Sequence, residues 1–163
     1  MENRAEAALL LTRPEYFGAV AAEGLNHTLL GLLKRGPGAD VESMPDFYVF
    51  NRYAANFPWR SHAEWYLQQM LRWRLAETDI DVPAVADQVF RSDLYREAAA
   101  ALGINTPHID RKPEGLHGGP WILAQADHPI AMGPDNFIDH SYFMPSNGSA
   151  TDVNAAARAA SNQ

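Results

Sequence analysis

The stretch Asn56-Phe57-Pro58-Trp59-Arg60-Ser61-His62 sets a guanidinium, a hydroxyl and an imidazole at three consecutive positions, directly ahead of a run with helical apolar spacing. Arg60, Ser61 and His62 are therefore expected on a first helical turn, where free amides and the axial dipole favour negative charge. Arg60 offers two coplanar donors and Trp59 an apolar wall, so the ligand that suits this corner is a small planar oxyanion. The same residues also read as packing, with Arg60 on a surface carboxylate and Trp59 and Phe57 plugging a groove between helices. Both readings are open on local sequence.

Six histidines, at 27, 62, 108, 117, 128 and 140, raise the question of a metal. Zinc and iron sites use short fixed spacings such as two imidazoles one helical turn apart, and no pair here has it. His117 with Asp110, or His140 with Asp139 and Asp135, would meet only through folding of the chain between them. The sequence has no Gly-x-Ser-x-Gly elbow, no phosphate loop and no dinucleotide-binding glycine pattern. Asp46, Glu64, Asp79 and Asp87 read as solvated carboxylates before they read as an acid and base pair. Binding without catalysis, and without a cofactor or metal, is the expectation.

The elements that would carry these groups are mostly helical. Residues 2–12 are good helix formers stopped by Pro14. A second helix is expected over 19–33, closed by Lys34, Arg35 and Gly36. Residues 39–60 read as an extended aromatic segment with a short strand at 47–50. Ser61 and Glu64 have the spacing of a capping box, which predicts a helix start at 61–62. Along that helix Ala63, Tyr66, Leu67, Met70 and Leu71 form an apolar stripe, widened by Trp65 and Trp73, that is expected to be heavily buried. Asp81 with Pro83 opens a short helix to about Phe90, and Ser92 or Asp93 caps another that runs through four alanines to Leu102 and the stop Gly103. From 105 to 148 proline and glycine dominate without sustained period, which predicts an irregular wrapping tail.

Composition narrows the partners. A chain of 163 residues is one domain's worth, and 47% apolar with 20% charged residues is enough to bury a core. Thirteen basic against twenty acidic residues give a net charge of 13 − 20 = −7, which disfavours direct nucleic-acid or anionic-membrane binding. Lys34 and Lys112 are the only lysines, so Trp65, Tyr66 and Trp73 read as core and not as a base-stacking platform. Cysteine is absent, which excludes thiol chemistry and disulfides. No segment approaches the roughly 20 apolar residues of a membrane span. The start has neither a cationic lead nor an apolar stretch of about 7–15 residues, so the chain as written is expected in the cytoplasm, and in the periplasm if its natural N-terminus is longer.

Several runs together resemble one family. YAANFPWRSH at 53–62, EWYLQQMLRW at 64–73, QVFRSDLYREAA at 88–99, KPEG at 112–115 and the opening ENRAEAA at 2–8 are similar to the C-terminal part of the nitrate/bicarbonate-binding solute-binding proteins of ABC transporters and their soluble nitrate-sensing relatives. The resemblance implies the helical C-terminal portion of a two-lobed α/β clamshell of the type II periplasmic-binding-protein class, over residues 1–148, with a flexible tail at 149–163. It implies a small oxyanion ligand (nitrate, nitrite or bicarbonate) and an ABC permease as partner. The four ligand candidates, Trp59, Arg60, Ser61 and His62, rest on local sequence and not on the family. Helices shaped against an absent lobe would leave an exposed apolar face able to drive self-association. Two other readings follow at lower rank: a cytosolic nitrate or nitrite sensor that holds an RNA-binding antiterminator, and a metal-dependent hydrolase built on the tail histidines.

Overall fold

A computed structural model describes residues 3–18 and 22–146, and the chain divides between Phe50 and Asn51 into two units. The expected tail at 149–163 and the start of the second expected helix at 19–21 lie outside the described residues. Among the described residues, no helix is long and apolar enough to cross a membrane.

In the first unit, helix α1 (Arg4–Leu11) buries Ala8, and α2 (Ala22–Leu30) follows. Arg4 ties them together, its Nη1 donating to the carbonyls of Leu29 at 3.0 Å and Pro45 at 3.3 Å. The end of α2 differs from expectation. Gly31, at φ +66°, stops the helix, and a Cβ there would lie 2.3 Å from the Met44 carbonyl oxygen. Leu32–Leu33 (β1) then pairs antiparallel with Glu42–Ser43 (β2). Lys34 and Arg35 thus sit in a hairpin and not in a last helical turn, and Arg35 Nε donates to Glu42 at 2.8 Å. The strand expected at 47–50 does not form, because the pairing partner of β1 is upstream. Phe47, Tyr48 and Phe50 are exposed in a turn, with the Tyr48 and Phe50 rings 4.9 Å apart.

The second unit carries the rest. A single 3-10 turn, Arg52–Ala54, leads to α3 (Arg60–Arg72), α4 (Val82–Val89) and α5 (Ser92–Ala101), and then to an antiparallel hairpin of β3 (Trp121–Leu123) and β4 (Ile130–Met132). Asp81 caps α4 as expected, its Oδ1 accepting the Ala84 amide at 3.1 Å. Gly103, at φ +63°, ends the α5 region with the paired bonds Gly103 N to Ala100 O and Ile104 N to Ala99 O. Ser92 is the first residue of α5 and not its cap, since its hydroxyl donates to Asp110 at 2.7 Å.

The capping box expected at 61–64 is not made. Trp59 occupies the cap position of α3, and its carbonyl accepts the amides of His62 and Ala63. Ser61 and Glu64 are fully buried inside the helix because more distant partners claim their side chains. The burial of α3 is also narrower than its apolar stripe. Ser61, Ala63 and Glu64 are covered, whereas Tyr66 is 58% and Trp73 63% exposed. The core lies elsewhere: Ala54, Phe57 and Trp59 pack on Leu123 and Met132 of the hairpin, with Tyr95, Ile109, Trp121 and Ile130 around them. The proline- and glycine-rich segment therefore supplies half of the hydrophobic centre instead of only wrapping it.

Candidate binding site

The first turn of α3 faces residues 110–114, and charge organises the contact. The Arg60 amide donates to the Asp110 carbonyl at 2.8 Å, which places its guanidinium beside two carboxylates: Asp110 at 2.9 Å and Asp87, on α4, at 3.4 Å. Arg96 of α5 holds the other oxygen of Asp110 at 2.6 Å and the carbonyl of Pro107 at 2.8 Å. Arg111 bridges the buried Glu64 and the half-exposed Asp87, each at 2.5 Å. Arg96, Asp110, Arg60, Asp87, Arg111 and Glu64 thus form a row of alternating sign. Burial pushes the Asp110 carboxyl up, but hydrogen bonds from Ser92 and Arg96 and the charges of Arg96 and Arg60 outweigh it and hold Asp110 below its ordinary value. Burial likewise opposes the Arg111 charge, and Glu64 and Asp87 more than offset it.

Next to this row lies a cavity of about 220 Å3 whose lining includes Trp59, His62, Lys112, Glu114, Trp121 and Asp135. Lys112 is buried, with its ammonium 5.5 Å from the Trp59 ring centroid and 6.0 Å from that of Trp121. It pairs with Glu114 and lies 4.0 Å from Asp135. Glu114 also meets His62 Nε2 at 3.0 Å and accepts the Ser61 hydroxyl at 3.3 Å. Asp135 accepts the His117 amide at 2.8 Å and pairs with His117 Nδ1 at 2.8 Å, while the His117 ring stacks on Trp121 at 3.9 Å. Burial raises the Glu114 carboxyl, yet the His62 hydrogen bond and the charges of Lys112 and His62 prevail, and it stays below its ordinary value. One ammonium thus faces two carboxylates in the cavity. These groups can hold and orient a small polar ligand.

A second cavity, of about 300 Å3, shares His62, Glu114 and Asp135 with the first and is walled on its other side by Trp65, Tyr66 and Phe137.

The four residues singled out in the sequence are placed unevenly. Trp59 is buried in the core, its Nε1 donating to the Ala54 carbonyl at 3.3 Å, and its ring also lines the first cavity. His62 lines both cavities. Ser61 reaches the first only through Glu114, and it also accepts the Lys112 amide at 3.3 Å. Arg60 is turned away to Asp110 and Asp87. Lys112, Glu114, His117, Trp121 and Asp135 were not recognisable as one group from sequence. Folding of this segment pairs His117 with Asp135, and not with Asp110 as one of the combinations considered from sequence had it. Glu64 and Asp87, expected to be solvated, are joined through Arg111. Among the described residues, no three metal-ligating side chains converge.

No family model matches the chain, and no solved structure matches it. Curated proteins do. Over 153 residues, 91% of this chain and 30% of the relative, it is 30% identical to the nitrate/nitrite binding protein NrtA of Synechocystis sp.. Over 115 residues, 66% of this chain and 25% of the relative, it is 32% identical to the bicarbonate-binding protein CmpA of Synechococcus elongatus. Over 101 residues, 62% of this chain and 15% of the relative, it is 31% identical to the nitrate import ATP-binding protein NrtC of Synechocystis sp.. The chain spans less than a third of the length of each of these relatives.

Proposed function

We propose, for a chain that carries nitrate/bicarbonate-binding family sequence over most of its length, that it is the C-terminal portion of a solute-binding protein for nitrate or a similar small oxyanion. In this reading it forms part of a two-lobed α/β receptor, acts by binding without chemistry, and serves an ABC permease. The observation that carries the proposal is the 30% identity to NrtA, which extends over 91% of the chain. The predominance of helix and the pairing of Trp59 with Lys112 are compatible with it.

Within the proposal, the oxyanion lies against Lys112 and His62 with Trp59 as its apolar wall, and Arg60 and Ser61 frame the turn that presents His62. The buried Lys112 ammonium, 5.5 Å from the Trp59 ring centroid, supports that placement. Titration calorimetry on this chain with nitrate, nitrite and bicarbonate tests it. Saturable heat is expected with at least one anion, reduced in His62→Gln. No heat with any of the three would overturn ligand binding by this chain.

A further inference from the structure

The cavity of about 300 Å3 beside the first turns of α3 differs in character from its neighbour. Three of its walls are aromatic. Trp65 stacks on Phe137 with centroids 5.7 Å apart and rings 14° from parallel, and it meets Tyr66 edge-on at 5.4 Å. The rings thus brace one another, which fixes their positions before any ligand arrives. The remaining lining residues are His62, Glu114 and Asp135.

Charge and acceptor capacity point the same way. At the polar end two carboxylates, Glu114 and Asp135, share one ammonium, Lys112. Each carboxylate has about four lone-pair sites. Ser61, His62 and Lys112 engage Glu114, and His117 engages Asp135 twice, with Lys112 more distant at 4.0 Å. Acceptor sites therefore remain on both. An aromatic wall facing residual carboxylate charge is the arrangement that attracts a desolvated organic cation, through ring quadrupoles on one side and ionic hydrogen bonds on the other.

We propose that this cavity binds an organic cation on a short apolar stem, a guanidinium or ammonium, with the stem against Trp65, Tyr66 and Phe137 and the head toward Glu114 and Asp135. The cavity shares His62, Glu114 and Asp135 with that of the oxyanion reading, so the two ligands would exclude one another, and the cation proposal does not rest on that reading. The same chemistry is offered by a basic side chain of a partner protein and by a small free amine.

Two-dimensional NMR of the tryptophan indole N–H groups tests the proposal, with the Trp65 signal assigned by Trp65→Phe. The probes are N-acetyl-arginine amide, N-acetyl-lysine amide, the free amine agmatine, and N-acetyl-citrulline amide as an uncharged isostere. A saturable Trp65 shift with a cationic probe, absent with citrulline, is expected. Tyr66→Ala removes an exposed ring without opening the core and should weaken that binding about fivefold, as expected for a partly exposed cation–π contact. Asp135→Asn should weaken it further. A preference for agmatine would identify a free amine as ligand and a preference for the blocked residues a protein side chain; either supports the site. Equal binding of citrulline and arginine probes, no response to any cation, or unchanged binding in both variants would overturn it.

Discussion

Arg111→Met probes the row of alternating charge most directly. The substitution keeps much of the side-chain stem and removes the cation. Glu64 is fully buried, and one of its oxygens has Arg111 Nε at 2.5 Å while the other accepts the amide and hydroxyl of Ser146 at 2.9 and 3.1 Å. Without Arg111, Glu64 is a buried carboxylate with no compensating cation, a loss of about 3–5 kcal/mol. Glu64→Gln is milder. A glutamine can still accept from Ser146, and Arg111 keeps Asp87 at 2.5 Å, so about 1–3 kcal/mol is expected. Combining both substitutions strands no charge, and the double variant should be at least about 2 kcal/mol more stable than the sum of the singles. Urea unfolding followed by far-UV circular dichroism measures all three, with unchanged slopes confirming that the transitions are comparable. In thermal melts the Arg111→Met loss corresponds to a shift of about 6–20 °C for a chain of this size. An Arg111→Met variant no less stable than Glu64→Gln, or strict additivity in the double variant, would show that the buried carboxylate does not depend on this arginine.

Acid stability should follow Glu114 and Asp110, both held below their ordinary values in the folded state. The unfolded chain then binds more protons at low pH, so their contribution is present above the usual carboxylate range and is lost as pH falls through the folded values. Glu114→Gln should flatten the acid limb of a plot of urea midpoint against pH. Gly115→Ala places a Cβ 2.5 Å from the Ser141 carbonyl oxygen at a φ of +88°, and it should cost about 1–3 kcal/mol or more, whereas Gly118→Ala meets nothing within 4 Å and should leave the melting temperature nearly unchanged. Replacing the exposed Tyr66 and Trp73 together by serine should reduce concentration-dependent association in sedimentation velocity, since both lie on the uncovered stripe of α3.

Features encoded within one helical turn were legible in the sequence. Asp81 with Pro83, and the alanine run stopped by Gly103, declare themselves because cap and helix are neighbours along the chain. Ser61 and Glu64 carry an equally clear local signal, and it misleads, because partners about fifty residues away, Lys112, Glu114 and Arg111, compete for the same atoms and prevail in a buried setting. The end of α2 was misplaced for a related reason: Gly31 is required by the close approach of Met44, which no local pattern reveals. The hairpin of β3 and β4 has three residues per strand, too few for an alternation to register. The cavity lining was legible only in part. Trp59 and His62 stood out beside a helix start, while Lys112, Glu114, His117 and Asp135 lie along a segment without periodicity, and only tertiary pairing gathers them.

The contact between Glu64 and Ser146 joins residues 82 positions apart, and that between Glu64 and Arg111 joins residues 47 apart. During synthesis, α3 therefore emerges long before either group that neutralises or hydrogen-bonds its central carboxylate. At about 5–20 residues per second, synthesis of the intervening chain takes seconds, far longer than the coiling of a helix. Until these contacts form, protonation or water must accommodate Glu64, and the surface that later receives Lys112 and Arg111 stays open to other molecules. Docking of the downstream segment is thus the late step that completes this unit, and shortening the chain ahead of Ser146 would leave that step unfinished.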